Sequence, residues 1–286
     1  MGVKRISLGA LAILLGTFAI ALPSAKPVSL YVTQVMHNSK KAEADRLFKL
    51  GEEQIKSNQP KAALESFQKA LPIYQQIKER LAEGHTHRSI GNAYYFLKDY
   101  PQAIAHQQQA LSIAREIKNP DLEARALLNL GTINLNAPQG NTVKAIDYYQ
   151  QSLAIARSSQ NREIEQTALS SLKTTIDLLE KNLVNVRGTK DKRREINILV
   201  SLGQAYMAVG DNSKAIAPFE QASAIARELQ DPQLETAVLQ SQGKALGQIS
   251  YSYFVQGDYA KTIQYSEQLR AISHGKLKTP ILRLWL

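Results

Sequence analysis

The sequence predicts an all-α fold assembled from repeated pairs of antiparallel helices, and three observations predict it. Ala, Leu, Ile, Gln and Glu are abundant while Val is scarce, a composition that favours helix over strand. Glycines fall at 51, 91 and 131, and again at 203 and 243, with steps of 40 inside each set. Two distant stretches, 110–131 (ALSIAREIKNPDLEARALLNLG) and 222–243 (ASAIARELQDPQLETAVLQSQG), match in register at Ile, Ala, Arg, Glu, Pro, Leu and Glu. A fixed period of this length marks stacked helical units, each burying its apolar face against the next.

Taken in order, residues 1–25 read as an address. Lys4 and Arg5 precede an uncharged apolar run over 6–22, and Ala19 and Ala21 supply small residues at a cleavage site. At about 1.5 Å per residue the run spans roughly 26 Å, near the ~30 Å hydrocarbon core of a bilayer. A cleaved signal peptide and an uncleaved inner-membrane anchor both fit. Either form leaves Lys4 and Arg5 cytoplasmic and exports the body to a periplasmic or extracellular location. Residues 26–41 are expected to be a linker.

Helical units follow near 44–83, 84–123, 124–163, 164–195, 196–235 and 236–272, and residues 273–286 form an apolar tail (its last eleven residues read KLKTPILRLWL). An Ile-Ala-Arg triplet recurs at Arg115, Arg157 and Arg227, each time followed four residues later by Asn119, Asn161 or Asp231. Asn119 and Asp231 precede a proline, the arrangement of a capping side chain before a proline in the first helical position. Turns within pairs are marked by Asn58 to Pro60, Asp99 to Pro101, Gly210 with Asp211, and Gly257 with Asp258.

These residues resemble the tetratricopeptide repeat. Unit two carries Ile90, Gly91, Tyr94, Ala103 and Ala110; unit five carries Leu202, Gly203, Tyr206, Ala215, Phe219 and Ala222. Unit one shows Leu50, Gly51, Ala63, Phe67 and Ala70, and unit three Leu130, Gly131, Ala145 and Tyr149. A 40-residue period is longer than the usual 34. It resembles the long-repeat arrays of kinesin light chains, and bacterial arrays placed before caspase-like protease domains. The resemblance covers about 42–272 and implies a right-handed α-solenoid of five to six repeats.

Two departures from the period carry expectations. From Gly131 a step of 40 lands on Ser171, and the next glycine is Gly203, so the fourth unit is expected to have a shortened second helix ending in a break over 185–190. The turn at Gly257 arrives seven residues late, which predicts one long helix near 233–256.

Charge and chemistry narrow the function. The chain carries a net +10, but residues 1–41 hold five basic side chains without an acid and residues 268–286 hold four. The body between them has 26 basic against 25 acidic side chains, so no folded face is basic enough to expect nucleic-acid binding. With no Cys there is no disulfide framework, thiolate metal site or cysteine nucleophile. His85 and His87 stand two apart on a helix and do not share a face. No nucleophile elbow, zinc-protease helix, phosphate loop or dinucleotide fingerprint occurs, so neither enzyme activity nor a cofactor or metal is expected.

By its resemblance to the tetratricopeptide family, the chain is expected to bind a protein or peptide along a groove lined by the first helix of each pair. The family pattern places His85, Arg88, Asn92, Tyr95 and Phe96 there in unit two. In unit three it places Arg125, Leu128, Thr132, Leu135 and Asn136, and in unit five Asn197, Val200, Gln204, Met207 and Ala208. Arg88, Asn92 and Arg125 together suit an acidic peptide or a C-terminal carboxylate; the opposing reading is that both arginines merely pair with acids on neighbouring helices. Tyr95, Phe96 and Met207 would be apolar anchors. Two other readings are a regulatory arm for a separate caspase-like protease and a self-associating structural solenoid, the latter suggested by the apolar C-terminal end. Contact with a membrane is expected only through the N-terminal segment.

Overall fold

The computed structural model describes residues 28–275, so the leader or anchor expected over 1–25 and the tail beyond Gly275 lie outside the described residues. Among the described residues there are eleven helices and no strand. They are α1 (Val28–Lys56), α2 (Pro60–Ile77), α3 (Arg80–Phe96), α4 (Tyr100–Glu116), α5 (Pro120–Asn136), α6 (Thr142–Ser158), α7 (Arg162–Arg187), α8 (Lys192–Val209), α9 (Asn212–Glu228), α10 (Pro232–Val255) and α11 (Tyr259–Gly275). Five pairs form, α1 with α2, α3 with α4, α5 with α6, α8 with α9 and α10 with α11, while α7 stands singly between α6 and α8. None of these helices is long and apolar enough to cross a membrane.

The junctions reuse the same few residues. A residue in left-handed backbone, such as Lys118 (φ 53°), Gln160 (φ 56°) or Gln230 (φ 52°), ends one helix. The following Asn or Asp then caps the next. Asn119 accepts from Leu122 N–H at 2.9 Å, Asn161 from Ile164 at 3.1 Å and Asp231 from Leu234 at 3.0 Å. Across the same turn the triplet arginine donates to a Glu eight residues on: Arg115 to Glu123 at 2.8 Å, and Arg157 to Glu165 and Arg227 to Glu235 at 2.9 Å. The repeated sequence is thus a repeated clip between successive pairs.

Inside each pair the recurring glycine lets two backbones close on an aromatic ring. A Cβ on Gly51, Gly131 or Gly203 would stand 2.5–2.6 Å from Phe67, Tyr149 or Phe219 respectively. Those three rings are almost fully buried, so each glycine is held by packing, not by backbone angle.

Two expectations about elements change. Residues 28–41 are not a linker: they continue into α1, a single 29-residue helix. No Gly or Pro interrupts 28–50, and Lys41 bonds Asp45 one turn on at 2.9 Å, so nothing stops the helix. The fourth unit does not have a shortened second helix; it has none. The 26-residue α7 opens as a first helix does, with Asn161 capping it, and closes as a second helix does, with Arg187 donating to Glu195 at 3.3 Å over the same eight-residue spacing. From helix start to clip arginine the pair α3–α4 runs from Arg80 to Arg115, whereas α7 runs only from Arg162 to Arg187. The missing stretch is the inner turn and its flanks, and without them the two halves fuse. The late turn at Gly257 gives α10 its 24 residues, over Pro232–Val255.

A single helix in a two-layer stack changes which layer comes next. Neighbouring pairs touch through α1–α3, α3–α5 and α5–α7, but after α7 the touching series is α6–α8 and α8–α10. The more closely spaced layer is the inner one, because a stack bends towards its tighter side. The inner layer therefore passes from the α1–α3–α5–α7 side to the α6–α8–α10 side at α7.

Candidate functional site

The first wall is built on α3 and α5. Arg88 and Asn92 lie one turn apart on α3, and Gly91 between them brings α4 so close that a Cβ would meet Gln107 Nε2 at 2.6 Å. Gln107 occupies the place filled by Phe67, Tyr149 and Phe219 in other pairs. Its amide donates to Arg88 O and to Asn92 Oδ1, both at 2.9 Å, and Asn129 on α5 donates to the same Asn92 Oδ1 at 2.8 Å. Two donors on its carbonyl oxygen orient Asn92, leaving its own NH2 to face elsewhere.

The two arginines part company here. Arg125 donates to Asp121 at 3.1 Å and to both carboxylate oxygens of Glu163 at 3.1–3.2 Å. Arg88 makes no ion pair among the described residues, and its buried Nε has no hydrogen-bond partner. Burial, and after it the Arg125 charge, pushes the Arg88 guanidinium below its ordinary value, with Glu52 and Asp121 acting the other way. Half-buried His85 is likewise held below its ordinary value, first by burial and then by Arg88.

Further along this wall Tyr95 OH accepts from Asn136 Nδ2 at 3.1 Å, and the Tyr95 ring meets Phe96 edge-on at 5.7 Å. Phe96 is 56% exposed. Thr132 accepts from Tyr149 OH at 3.2 Å and donates to Leu128 O. Leu128 is buried in the core with α6 and α7 residues, and Leu135 packs against that core, so neither lines an open surface.

The residues expected from unit five are elsewhere. Asn197, Val200, Gln204 and Met207 of α8 face α6 and α10, in two adjoining cavities of about 350 and 570 Å³ that share Val143 and Ser241 in their walls. Ala208 is buried in the core. The single groove expected from the family pattern is two surfaces, because the pattern treats every first helix as lying in one layer and α7 breaks that alternation.

One pairing was not visible in spacing. His87 Nδ1 and His106 Nδ1 approach to 3.0 Å across α3 and α4, and the Tyr94 ring stacks on His106 at 5.6 Å. Burial, then His106, lowers the His87 imidazole to about 4, so both rings are neutral near pH 7 and share one hydrogen bond. Among the described residues no group of three or more His, Asp or Glu is placed to hold a metal.

A tetratricopeptide repeat family model matches residues 83–158 and another matches 198–233. Tetratricopeptide repeat protein 29 of Trypanosoma brucei brucei is 24% identical over 195 residues, which is 68% of this chain. The chain spans 34% of that protein's length. Among solved structures, aspartyl phosphate phosphatase F from Bacillus subtilis is similar at 17% identity and a TM-score of 0.43, over 82% of this chain and 60% of that one. The TPR2AB-domain:pHSP90 complex of yeast Sti1 is similar at 15% identity and a TM-score of 0.35, over 84% and 92%. Family matches on both sides of α7, together with the recurring glycines, caps and clips, show that the chain carries tetratricopeptide repeats in a helical solenoid.

Proposed function

We propose that the chain is an adaptor that takes an extended peptide along the α3–α5 wall and holds an acidic group of it, a side chain or a terminal carboxylate, at Arg88. The observation that carries this reading is the buried, unpaired Nε of Arg88 beside the oriented amide of Asn92. A buried donor without a partner costs free energy that an incoming carboxylate recovers. Tyr95 and Phe96 supply an apolar anchor at the end of the same helix. Arg125 shapes the wall but arrives with its charge already met by Asp121 and Glu163.

The test is a selection of displayed peptides with free C-termini on the full chain, followed by affinities for Arg88→Ala. Loss of about tenfold or more is expected, the worth of one charge-assisted contact. Unchanged affinity for every selected peptide would overturn the reading. Arg125→Ala should lower affinity less and stability more. The adaptor would work outside the cytoplasm, as the segment over 1–25 suggests; a reporter enzyme active only after export, fused after Gly275, checks that side.

A second reading, self-association, has its own observation. Ile216 on α9 and Ile263 on α11 stand five residues after the capping Asp211 and Asp258. Ile216 is buried, whereas Ile263 is 59% exposed beside exposed Tyr259 and Phe254. Among the described residues this end of the array is thus a stacking face with no further helix packed on it. Concentration-dependent mass that disappears in Ile263→Asp would support it.

A further inference from the structure

We infer that the α6–α8–α10 face is a second binding groove, independent of the α3–α5 wall and open to the other side of the molecule, and that it takes an acidic peptide in extended form. The inner layer changes sides at α7, and α6, α8 and α10 enclose two adjoining cavities that no residue of the first wall lines. Their lining includes the apolar Met207 and Val200 together with side-chain amides from three different helices: Gln150 on α6, Gln204 on α8 and Gln248 on α10. None of these three amides has a hydrogen bond within the described chain, and each presents one acceptor and two donors, the groups that a peptide backbone needs.

Charge decides the occupant. Lys144, Arg194 and Lys244 line the two cavities, and none of the three is in an ion pair. Asp147 is the acid facing them. By contrast Arg193, next to Arg194, pairs with Asp231 at 2.6 Å, and Arg125 of the first wall pairs with Glu163. Three unpaired cations against one acid, in a lining that also carries apolar side chains, favour a ligand with carboxylates and small apolar side chains. Three helices at roughly 10 Å spacing are crossed by about six or seven extended residues. With one ligand on each side, the chain would bridge two partners.

The test uses peptides of about twelve random residues, long enough to cross the groove, selected on the full chain. Each enriched peptide is measured by anisotropy against the unaltered chain, Arg88→Ala, and the triple variant Lys144→Glu/Arg194→Glu/Lys244→Glu. A second variant, Gln204→Ala/Gln248→Ala, keeps the charge and probes the amides, and thermal melts confirm that each variant is folded. The inference expects a class of Asp- and Glu-rich peptides that loses at least about tenfold on charge reversal, loses affinity on amide removal, and binds Arg88→Ala as tightly as the unaltered chain. Those peptides should also bind together with any Arg88-dependent peptide. Failure of the Arg88 peptides alone leaves this groove standing, because the classes are read separately. No acidic class, or an acidic class sensitive only to Arg88→Ala, would overturn it.

Discussion

Gly203 shows how tightly the pairs are closed: a methyl group there would sit 2.5 Å from the Phe219 ring. Gly203→Ala should cost about 1–3 kcal/mol through overpacking, read as a lowered urea midpoint. Adding Phe219→Leu should cost less than the sum of the two single changes, since the smaller side chain relieves the clash. This position was legible from the 40-residue glycine period. The unpaired state of Arg88 was not, because it depends on where neighbouring helices place their acids, and Asp121 and Glu163 meet Arg125 instead. His87 makes a further prediction at this scale. Its folded value of about 4 lies below the ordinary 6.5, so the unfolded chain binds the proton more tightly. Stability is present above pH 6.5 and is lost as pH falls towards 4. Between pH 7 and pH 5 the loss should be about 2 kcal/mol, and His87→Leu should remove most of that slope. A slope shared equally by both proteins would assign it to other groups.

At the scale of elements, junctions rather than helix interiors carry the legible signal. Capping Asn or Asp, proline and the clip arginine set where helices start, and the late Gly257 sets the length of α10. Asp231 both caps α10 and meets Arg193. Asp231→Ala should therefore lower the melting temperature more than Asn119→Ala, whose cap bears no ion pair; paired melts check the order. The fourth unit was misread because a shortened period does not say which residues are missing. Loss from the second helix would have kept a pair, whereas loss of the turn fused two half-helices into α7. Leu172, fully buried at its middle, should cost about 2–5 kcal/mol on change to Ala, if α7 is the joint between the two halves of the array.

For the whole molecule, one unpaired helix converts a single expected groove into two surfaces. His85, Arg88, Asn92, Tyr95, Phe96, Arg125, Thr132 and Asn136 belong to the first half, and Asn197, Gln204 and Met207 to the second. Family spacing put Leu128, Leu135 and Ala208 in the groove although they lie in or against the core, and it could not find the side of the molecule, which depends on how many helices precede each face. The absence of cysteine makes this directly measurable, since introduced pairs are the only thiols. The measurement is cross-linking with a short bismaleimide of two double variants, Gln150→Cys/Gln204→Cys and Asn136→Cys/Gln204→Cys. Change of sides at α7 predicts rapid intramolecular linkage of the first pair, which lines one cavity, and none of the second. Linkage of the second pair without the first would restore a single continuous groove and contradict the account.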